Sequence, residues 1–138
     1  MIEVLNLQHR YWVNAKRLRD LLARLIEKYG LGEPEVTLAL VETRRIRKLN
    51  RDFRKRDAPT DVLSFPGPGL RADGKFYLGD IAISVPQAFQ SCFREAHGLE
   101  VELADLAVHG FLHLLGFDHG KGLEEEEIKA RRELGMEE

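Results

Sequence analysis

The alternation of apolar and polar positions along the chain predicts four β-strands. Residues 2–7 alternate weakly, and residues 35–41 form a short apolar run that is typical of a buried strand. Residues 62–65 and 77–83 predict the third and fourth strands. Between these two, residues 66–76 are rich in glycine and proline and show no periodicity, so they are predicted to form a loop.

Five stretches have the apolar spacing of amphipathic helices. The first runs from a cap at Asn14 to about Tyr29. The aromatic residues Tyr11 and Trp12 precede that cap and are expected to anchor the start of the helix in the core. The other four predicted helices begin at a Thr43 cap, at a Ser84 cap (this helix reaches about Ala96), at Glu100 and at Leu123.

This order of elements predicts a mixed α/β fold, in which a small four-stranded mixed sheet is covered by about five helices. A helix joins the first two strands, so these should be parallel. A loop alone joins the third and fourth strands, so these should be antiparallel, with one of them at a sheet edge. We expect a single domain spanning residues 1–138, because no linker or repeat divides the chain.

Composition narrows the class of protein. Hydrophobic residues make up 43% of the chain and charged residues 32%, which is ordinary for a soluble globular protein. No apolar run is long enough to cross a membrane, and residues 1–6 do not resemble the start of a signal peptide. Cys92 is the only cysteine, which excludes an internal disulfide and favours a cytoplasmic location.

The net charge of −2 does not suggest a nucleic-acid-binding protein, but the distribution of charge does. Residues 44–56 hold eight basic side chains and one acid, whereas residues 124–138 hold seven glutamates and three basic side chains. A concentrated basic field attracts a polyanion even when the total charge is small. The competing interpretation is that the basic side chains form the solvated face of a helix. Ile46, Leu49 and Phe53 would point inward from the other face of that helix.

Three of the five histidines lie within residues 109–119. His109 and His113 are one helical turn apart, and Gly116 stands where the helix is expected to end and the chain to carry His119 back. Three imidazoles that leave a fourth position to water are typical of catalytic zinc sites. Nickel or another divalent transition metal also accepts such ligands. Histidines without a metal, on an amphipathic helix, are the alternative.

The spacing of these histidines matches the zincin pattern H-E-x-x-H-x-x-G-x-x-H except at Gly110, where metallopeptidases have a general-base glutamate. A peptide substrate would lack the group that takes a proton from water, so a metallopeptidase is disfavoured. Phosphodiester chemistry depends less on such a base when a metal and an arginine stabilise the developing charge. Asp80 and Asp118 are candidates to accept hydrogen bonds from the imidazoles, and turn or cap roles are the alternative.

Three segments together resemble the YbeY family of bacterial endoribonucleases, the rRNA maturation factors. Residues 109–119 are similar to that family's H-G-x-L-H-L-x-G-[YF]-D-H. Residues 49–65 are similar to its L-N-x-x-[FY]-R-x-x-D-x-P-T-D-V-L-S-F, and residues 78–84 to its L-G-D-I-x-I-S. The segments occur in the family's order and span most of the chain.

The resemblance implies a zincin-like α/β fold. It also implies cleavage of single-stranded RNA in 16S rRNA 3′-end maturation and ribosome quality control. It implies one metal ion, usually zinc, held by His109, His113 and His119, and it carries the family's functionally important arginine over to Arg54. The implied partners are the 16S rRNA precursor and the small ribosomal subunit or its proteins. A ribosome assembly factor that binds RNA without cleaving it, and whose metal is structural, is the alternative.

We therefore predict a metal-dependent endoribonuclease in which Arg54 and His113 are catalytic. The predicted RNA-binding side chains are Arg44, Arg45, Arg47, Lys48, Arg51, Arg54 and Arg56.

Overall fold

The computed structural model describes residues 1–95 and 97–136. These residues form nine elements, in the order β1 (Ile2–Asn6), α1 (Ala15–Lys28), β2 (Glu35–Val41), α2 (Thr43–Arg54), β3 (Val62–Leu70), β4 (Phe76–Ser84), α3 (Val85–Glu95), α4 (Leu99–Leu114) and α5 (Leu123–Glu133). Ala96, the predicted end of the third helix, lies outside the described residues. No helix in the described part of the chain is long and apolar enough to span a membrane.

The four strands form one mixed sheet in the order β1-β2-β4-β3. β1 pairs with β2 and β2 with β4 in parallel, whereas β3 and β4 are antiparallel. The predicted mixed sheet with its antiparallel pair is confirmed, and the strand at the edge of that pair is β3. The connection through α1 produces the parallel pairing of β1 and β2, as expected for a helical crossover.

The predicted loop over residues 66–76 is wrong for most of its length. β3 continues to Leu70 and β4 starts at Phe76, so that only residues 71–75 form the turn. The turn is closed by a bond from the Arg71 backbone N–H to the Lys75 carbonyl (2.8 Å). Pro66 is tolerated within β3 because an edge strand does not need every N–H in its ladder, which explains why the pattern resembled a loop.

The two faces of the sheet have separate apolar clusters. Leu38, Leu40, Ile81 and Ile83 point to the face that α1 and α4 cover, and they form the larger cluster. On the opposite face, Ile46 of α2 packs in a smaller cluster made by the sheet. The last turn of α2 contributes no side chain to either cluster.

Two of the predicted helix caps are confirmed. The Asn14 side chain accepts a hydrogen bond from Arg17 N–H (3.2 Å), and Ser84 Oγ accepts one from Gln87 N–H (3.3 Å). Thr43 is instead the first residue of α2, so its predicted capping role is wrong.

Two aromatic residues that were predicted to point inward are exposed. Trp12 is 76% exposed, whereas its neighbour Tyr11 is half-buried and stacks on Phe89 with a centroid distance of 4.7 Å. Phe53 is 65% exposed in the last turn of α2. Helical periodicity predicted its direction relative to Ile46, but its ring meets Phe65 of β3 outside the small apolar cluster.

α4 approaches the sheet most closely at Gly110. A Cβ atom built on this glycine would lie 2.7 Å from Ile81 Cγ2 and 3.1 Å from Ser64 Oγ. Ser64 Oγ also donates a buried hydrogen bond of 2.9 Å to the Gly110 carbonyl. The helix that carries His109 and His113 is therefore held directly against β3 and β4.

This close approach predicts that Gly110→Ala lowers the free energy of unfolding. Alanine has the higher helix propensity by about 1 kcal/mol, so propensity alone predicts that Gly110→Ala stabilises the protein. Forced overpacking costs about 1–3 kcal/mol, which exceeds this gain, and we therefore expect the variant to lose up to about 2 kcal/mol of unfolding free energy. The measurement is urea denaturation followed by circular dichroism.

Gly98→Ser is the matched control, because a Cβ atom at Gly98 meets nothing within 4 Å and serine is a favourable residue before a helix. We expect this variant to be as stable as the wild type or slightly more so. A Gly110→Ala protein that gained stability would contradict the close packing.

Candidate active site

The end of α4 brings the three predicted metal-binding histidines together. His109 and His113 lie one turn apart on the last part of α4. Gly116 follows with φ +98°, a left-handed conformation that glycine adopts without a Cβ penalty, and its N–H bonds to the His113 carbonyl (3.0 Å). The chain reverses at this glycine, and His119 returns toward the first two rings.

The distances between the rings suit a common metal ion. His109 Nε2 and His113 Nε2 are 3.2 Å apart, and one nitrogen from each of the three rings lies within 4.8 Å of the others. Two nitrogens that bind a tetrahedral zinc ion at 2.0–2.1 Å lie about 3.4 Å apart. The three residues can therefore hold a metal ion, and an all-nitrogen donor set fits several divalent transition metals.

Each of the three imidazoles is hydrogen bonded to its own carboxylate. His109 Nδ1 lies 2.7 Å from Glu127 Oε1, and His113 Nδ1 lies 2.9 Å from Asp118 Oδ1. His119 Nδ1 lies 3.0 Å from an oxygen of the Glu124 carboxylate. An ionised carboxylate accepts a bond from Nδ1–H, which leaves the Nε2 lone pair of each ring free for a metal ion.

These carboxylates also change the proton affinities of the site. The hydrogen bond from His109 to Glu127 raises the pKa of His109 above its ordinary value, although partial burial of the ring opposes the shift. The corresponding bond from His119 lowers the pKa of Glu124 below its usual range. A more basic imidazole is a stronger metal ligand once its Nε2 is unprotonated.

Of the two aspartates predicted as partners of the imidazoles, only Asp118 contacts one. Asp80 instead accepts a hydrogen bond from the Tyr77 hydroxyl. It lies on the face of β4 opposite Ile81, and Ile81 is the side chain that packs against Gly110 of α4.

Glu124 and Glu127 were not predicted as partners of the histidines. The available signal was the run of glutamates that opens α5, which had been interpreted only as a local excess of negative charge. The pairing of Glu127 with His109, 18 residues earlier, depends on how α5 packs against α4.

A cleft of about 450 Å³ lies between the end of α4 and the β3 edge. His119 does not line the cleft, and its side chain is largely exposed beside the other two rings. The cleft is lined by Arg54, Val62, Leu63, Ser64, Pro66, His109, His113, Gly116 and Asp118.

Arg54 is the predicted arginine that the fold places in this cleft. Its Nη2 donates a 2.7 Å hydrogen bond to the Ser64 carbonyl, and its guanidinium carbon lies 5.9 Å from the centre of the Phe65 ring. No carboxylate within the described ranges forms an ion pair with it. A guanidinium whose charge is not neutralised by the protein remains available to an anionic ligand.

The other predicted RNA-binding residues do not line the cleft: five lie along α2, and Arg56 follows the end of that helix. All six are exposed, and at 1.5 Å per residue the twelve-residue helix is about 18 Å long. Arg47 pairs with Asp57, whereas Lys48 and Arg51 share Asp52, so part of their charge is neutralised. These six predicted RNA-binding residues are Arg44, Arg45, Arg47, Lys48, Arg51 and Arg56.

The position at which zincin peptidases carry their general-base glutamate has no room for a side chain. That position is Gly110, where even a methyl group would collide with Ile81. The absence of the glutamate is thus part of how α4 packs on the sheet, and this site lacks the peptidase base.

Comparison with known proteins places the chain among related sequences and structures. The family model described as Endoribonuclease YbeY matches residues 3–138. The Endoribonuclease YbeY of Brevibacillus brevis is 44% identical over 139 residues, covering 89% of this chain and 87% of that protein. The Endoribonuclease YbeY of Moorella thermoacetica is 50% identical over 110 residues, covering 74% of this chain and 70% of that protein.

A solved structure agrees with these sequence relationships. The solution structure of TM1509 from Thermotoga maritima superposes with a TM-score of 0.62 at 30% sequence identity, covering 94% of this chain and 86% of that one. The family match extends over nearly the whole chain, including the histidine segment and Arg54. The protein therefore belongs to the YbeY family.

Proposed function

We propose that the protein is a metal-dependent endoribonuclease that cleaves single-stranded RNA in the cleft between α4 and β3. The observation that carries the proposal is the position of Arg54, whose charge is not paired with any carboxylate of the described chain and which lines the same cleft as His109 and His113. The name Endoribonuclease YbeY, borne by the relatives, supports RNA as the substrate.

The metal would be held by His109, His113 and His119, with zinc or nickel as candidates. When bound, such an ion lowers the pKa of a bound water and polarises phosphoryl oxygens. The carboxylates of Asp118, Glu124 and Glu127 keep the three rings in the tautomer that presents Nε2.

Arg54 supplies the positive charge that phosphodiester cleavage requires. Its guanidinium can pair with two oxygens of the phosphate, and that interaction strengthens as negative charge develops in the transition state. The bond to the Ser64 carbonyl orients the guanidinium toward the cleft without neutralising it. This arrangement explains how a site without a peptidase-type glutamate can still serve phosphoryl chemistry.

The size of the cleft supports a single-stranded substrate. A volume of about 450 Å³ is that of a pocket for a small molecule, which suits a nucleotide of an unpaired strand better than the width of a duplex. The exposed basic face of α2 would bind the phosphates beyond the cleft, which makes affinity depend on salt concentration. We further propose, on the resemblance, that this strand is the 3′ end of the 16S rRNA precursor, bound on the small ribosomal subunit in the cytoplasm.

A ribosome assembly factor with a structural metal is the alternative function. Structural zinc sites usually have four protein ligands, whereas the residues that the structure describes offer a cluster of three. Cys92 is buried on α3 and its thiol donates to the Phe89 carbonyl, so it does not join that cluster. The three-ligand set beside an open cleft favours catalysis.

Two substitutions should separate metal binding from phosphate binding. We expect His113→Ala to lose bound metal and cleavage together, because it removes a ligand. We expect Arg54→Glu to keep the metal and to cleave at least about 100-fold more slowly, because it removes the charge that stabilises the transition state. The measurements are metal content by mass spectrometry and cleavage of end-labelled single-stranded RNA.

Arg19→Glu is the matched control, because it makes the same charge change at an exposed residue of α1. This variant should cleave RNA like the wild type. Equal cleavage by wild type and His113→Ala would show that a contaminating ribonuclease is responsible. An Arg54→Glu protein without metal would contradict the separate roles of the two residues.

A further prediction concerns Glu127, whose carboxylate accepts the hydrogen bond from His109 Nδ1. We expect Glu127→Gln to weaken metal affinity by about 10- to 100-fold, because a neutral amide no longer holds Nδ1–H as an ionised acceptor does. The measurement is competition for the metal with a chromogenic chelator. It does not require the protein to be active.

Glu125→Gln provides the control, because it removes the same charge from a neighbouring, exposed position of α5. We expect its metal affinity to stay within about twofold of the wild type. If both variants lost affinity equally, the effect would be one of total charge, and the hydrogen bond to His109 would have no specific role.

A further inference from the structure

Phe53 is an aromatic side chain that the packing of the protein does not account for. It is 65% exposed, although Ile46 on the same helix is fully buried. Its ring meets the Phe65 ring at a centroid distance of 5.5 Å and an angle of 69°. Most of the Phe53 ring therefore faces solvent, and its partner holds it in a defined orientation.

Arg54 connects this pair of rings to the cleft. Phe65 points to the α2 face of β3, so that its chain neighbours Ser64 and Pro66 line the cleft whereas the rings of Phe53 and Phe65 do not. The Arg54 guanidinium reaches across the Phe65 ring to the Ser64 carbonyl. Phe53 is the residue directly before Arg54, so the exposed ring and the cleft arginine come from the same turn of α2.

The surroundings of the exposed ring are positively charged. Arg54, Lys55 and Arg56 follow Phe53 directly and are all exposed. Within the described part of the chain, none of the three forms an ion pair with a carboxylate. An exposed aromatic face among unneutralised cations is the combination with which proteins bind single-stranded nucleic acid, by stacking the bases and pairing the phosphates.

We propose that Phe53, supported by Phe65, is a stacking site for one unpaired nucleobase next to the scissile phosphate. The inference rests on the proposed ribonuclease function and adds a base-binding subsite to it. A base held there would place its own phosphate beside Arg54 and the histidines. A paired base has its faces covered by its neighbours in the duplex, so this subsite selects for single strands.

The competing explanation is that Phe53 only covers the small apolar cluster under α2. Phe53→Leu distinguishes the two, because leucine keeps an apolar side chain and lacks a flat ring. Phe93→Leu is the matched control. Phe93 is 72% exposed on α3 and also meets another phenylalanine, Phe89, edge to face (4.9 Å, 90°), but neither of these two residues adjoins a cleft-lining residue in the chain, as Phe53 adjoins Arg54.

The experiment is a binding scan with a 2′-O-methyl single-stranded oligonucleotide, recovered intact after each titration. One position at a time is made abasic, and affinity for the metal-loaded protein is measured by fluorescence anisotropy. We expect one position, or two adjacent ones, to weaken wild-type binding about tenfold, as stacking of a single base predicts. At that position 2-aminopurine should be quenched by the wild type and by Phe53→Tyr.

Phe53→Leu should bind the intact oligonucleotide about tenfold more weakly and should no longer respond to the abasic position. Phe93→Leu should give the wild-type profile. A wild-type scan without any sensitive position would overturn the proposal. A Phe53→Leu protein that kept the sensitivity would do so too. Thermal unfolding of both leucine variants detects any loss of packing. The wild-type scan tests the proposal independently of any variant.

Failure of this subsite is distinguishable from failure of the ribonuclease function. The scan reports binding only, whereas the ribonuclease function is tested by cleavage in wild type and His113→Ala. Metal-dependent cleavage together with a featureless scan would leave the nuclease function in place and remove the role of Phe53. On an unmodified RNA of the same sequence, the cut should fall next to the position that the scan identifies.

Discussion

The contact between Gly110 of α4 and the sheet determines how the parts of the candidate site are placed. Ser64 makes two hydrogen bonds beside this contact. Its hydroxyl donates to the Gly110 carbonyl, and its own carbonyl accepts a bond from Arg54. One residue of β3 thus links the helix that carries His109 and His113 to the last turn of α2. A shift of α4 away from the sheet would change the distance between the imidazoles and the guanidinium, so packing and chemistry are coupled at this glycine.

The opposite side of the site depends on α5, which carries two of the three carboxylates that orient the histidines. This helix is short and strongly charged, and it packs against α4 with Leu123 and Ala130 buried in the larger apolar cluster. Tyr29 donates a hydrogen bond to Glu126, and Arg24 donates one to the Leu134 carbonyl (2.8 Å). Burial and the neighbouring glutamate raise the pKa of Tyr29, which keeps the hydroxyl protonated as a donor. The site is therefore assembled from the middle of the chain and α5, and the bonds from Arg24 and Tyr29 tie the α5 region to the region of α1.

Local patterns in the sequence predicted the elements, the sheet and the reversal at Gly116, because each depends on neighbouring residues. The partner of His109 could not be predicted in this way, since no spacing relates Glu127 to a helix on the other side of a turn. Phe53 was predicted to be buried because helical periodicity gives a direction but not the extent of the surface beneath it. The glycines and prolines of residues 66–70 concealed a strand for a related reason, since only the sheet shows that they lie at its edge. What escaped prediction was decided by contacts between elements distant in the chain.

The two prolines in β3 have a consequence for what the cleft can accept. β3 pairs with β4 on one side only, and Pro66 and Pro68 have no N–H group to offer a further strand. An extended peptide that joins a sheet needs a continuous row of donors and acceptors along the edge. β3 presents an interrupted row, which also discourages two copies of the protein from joining edge to edge and aggregating. The edge beside the cleft is therefore poorly suited to binding a peptide by strand addition.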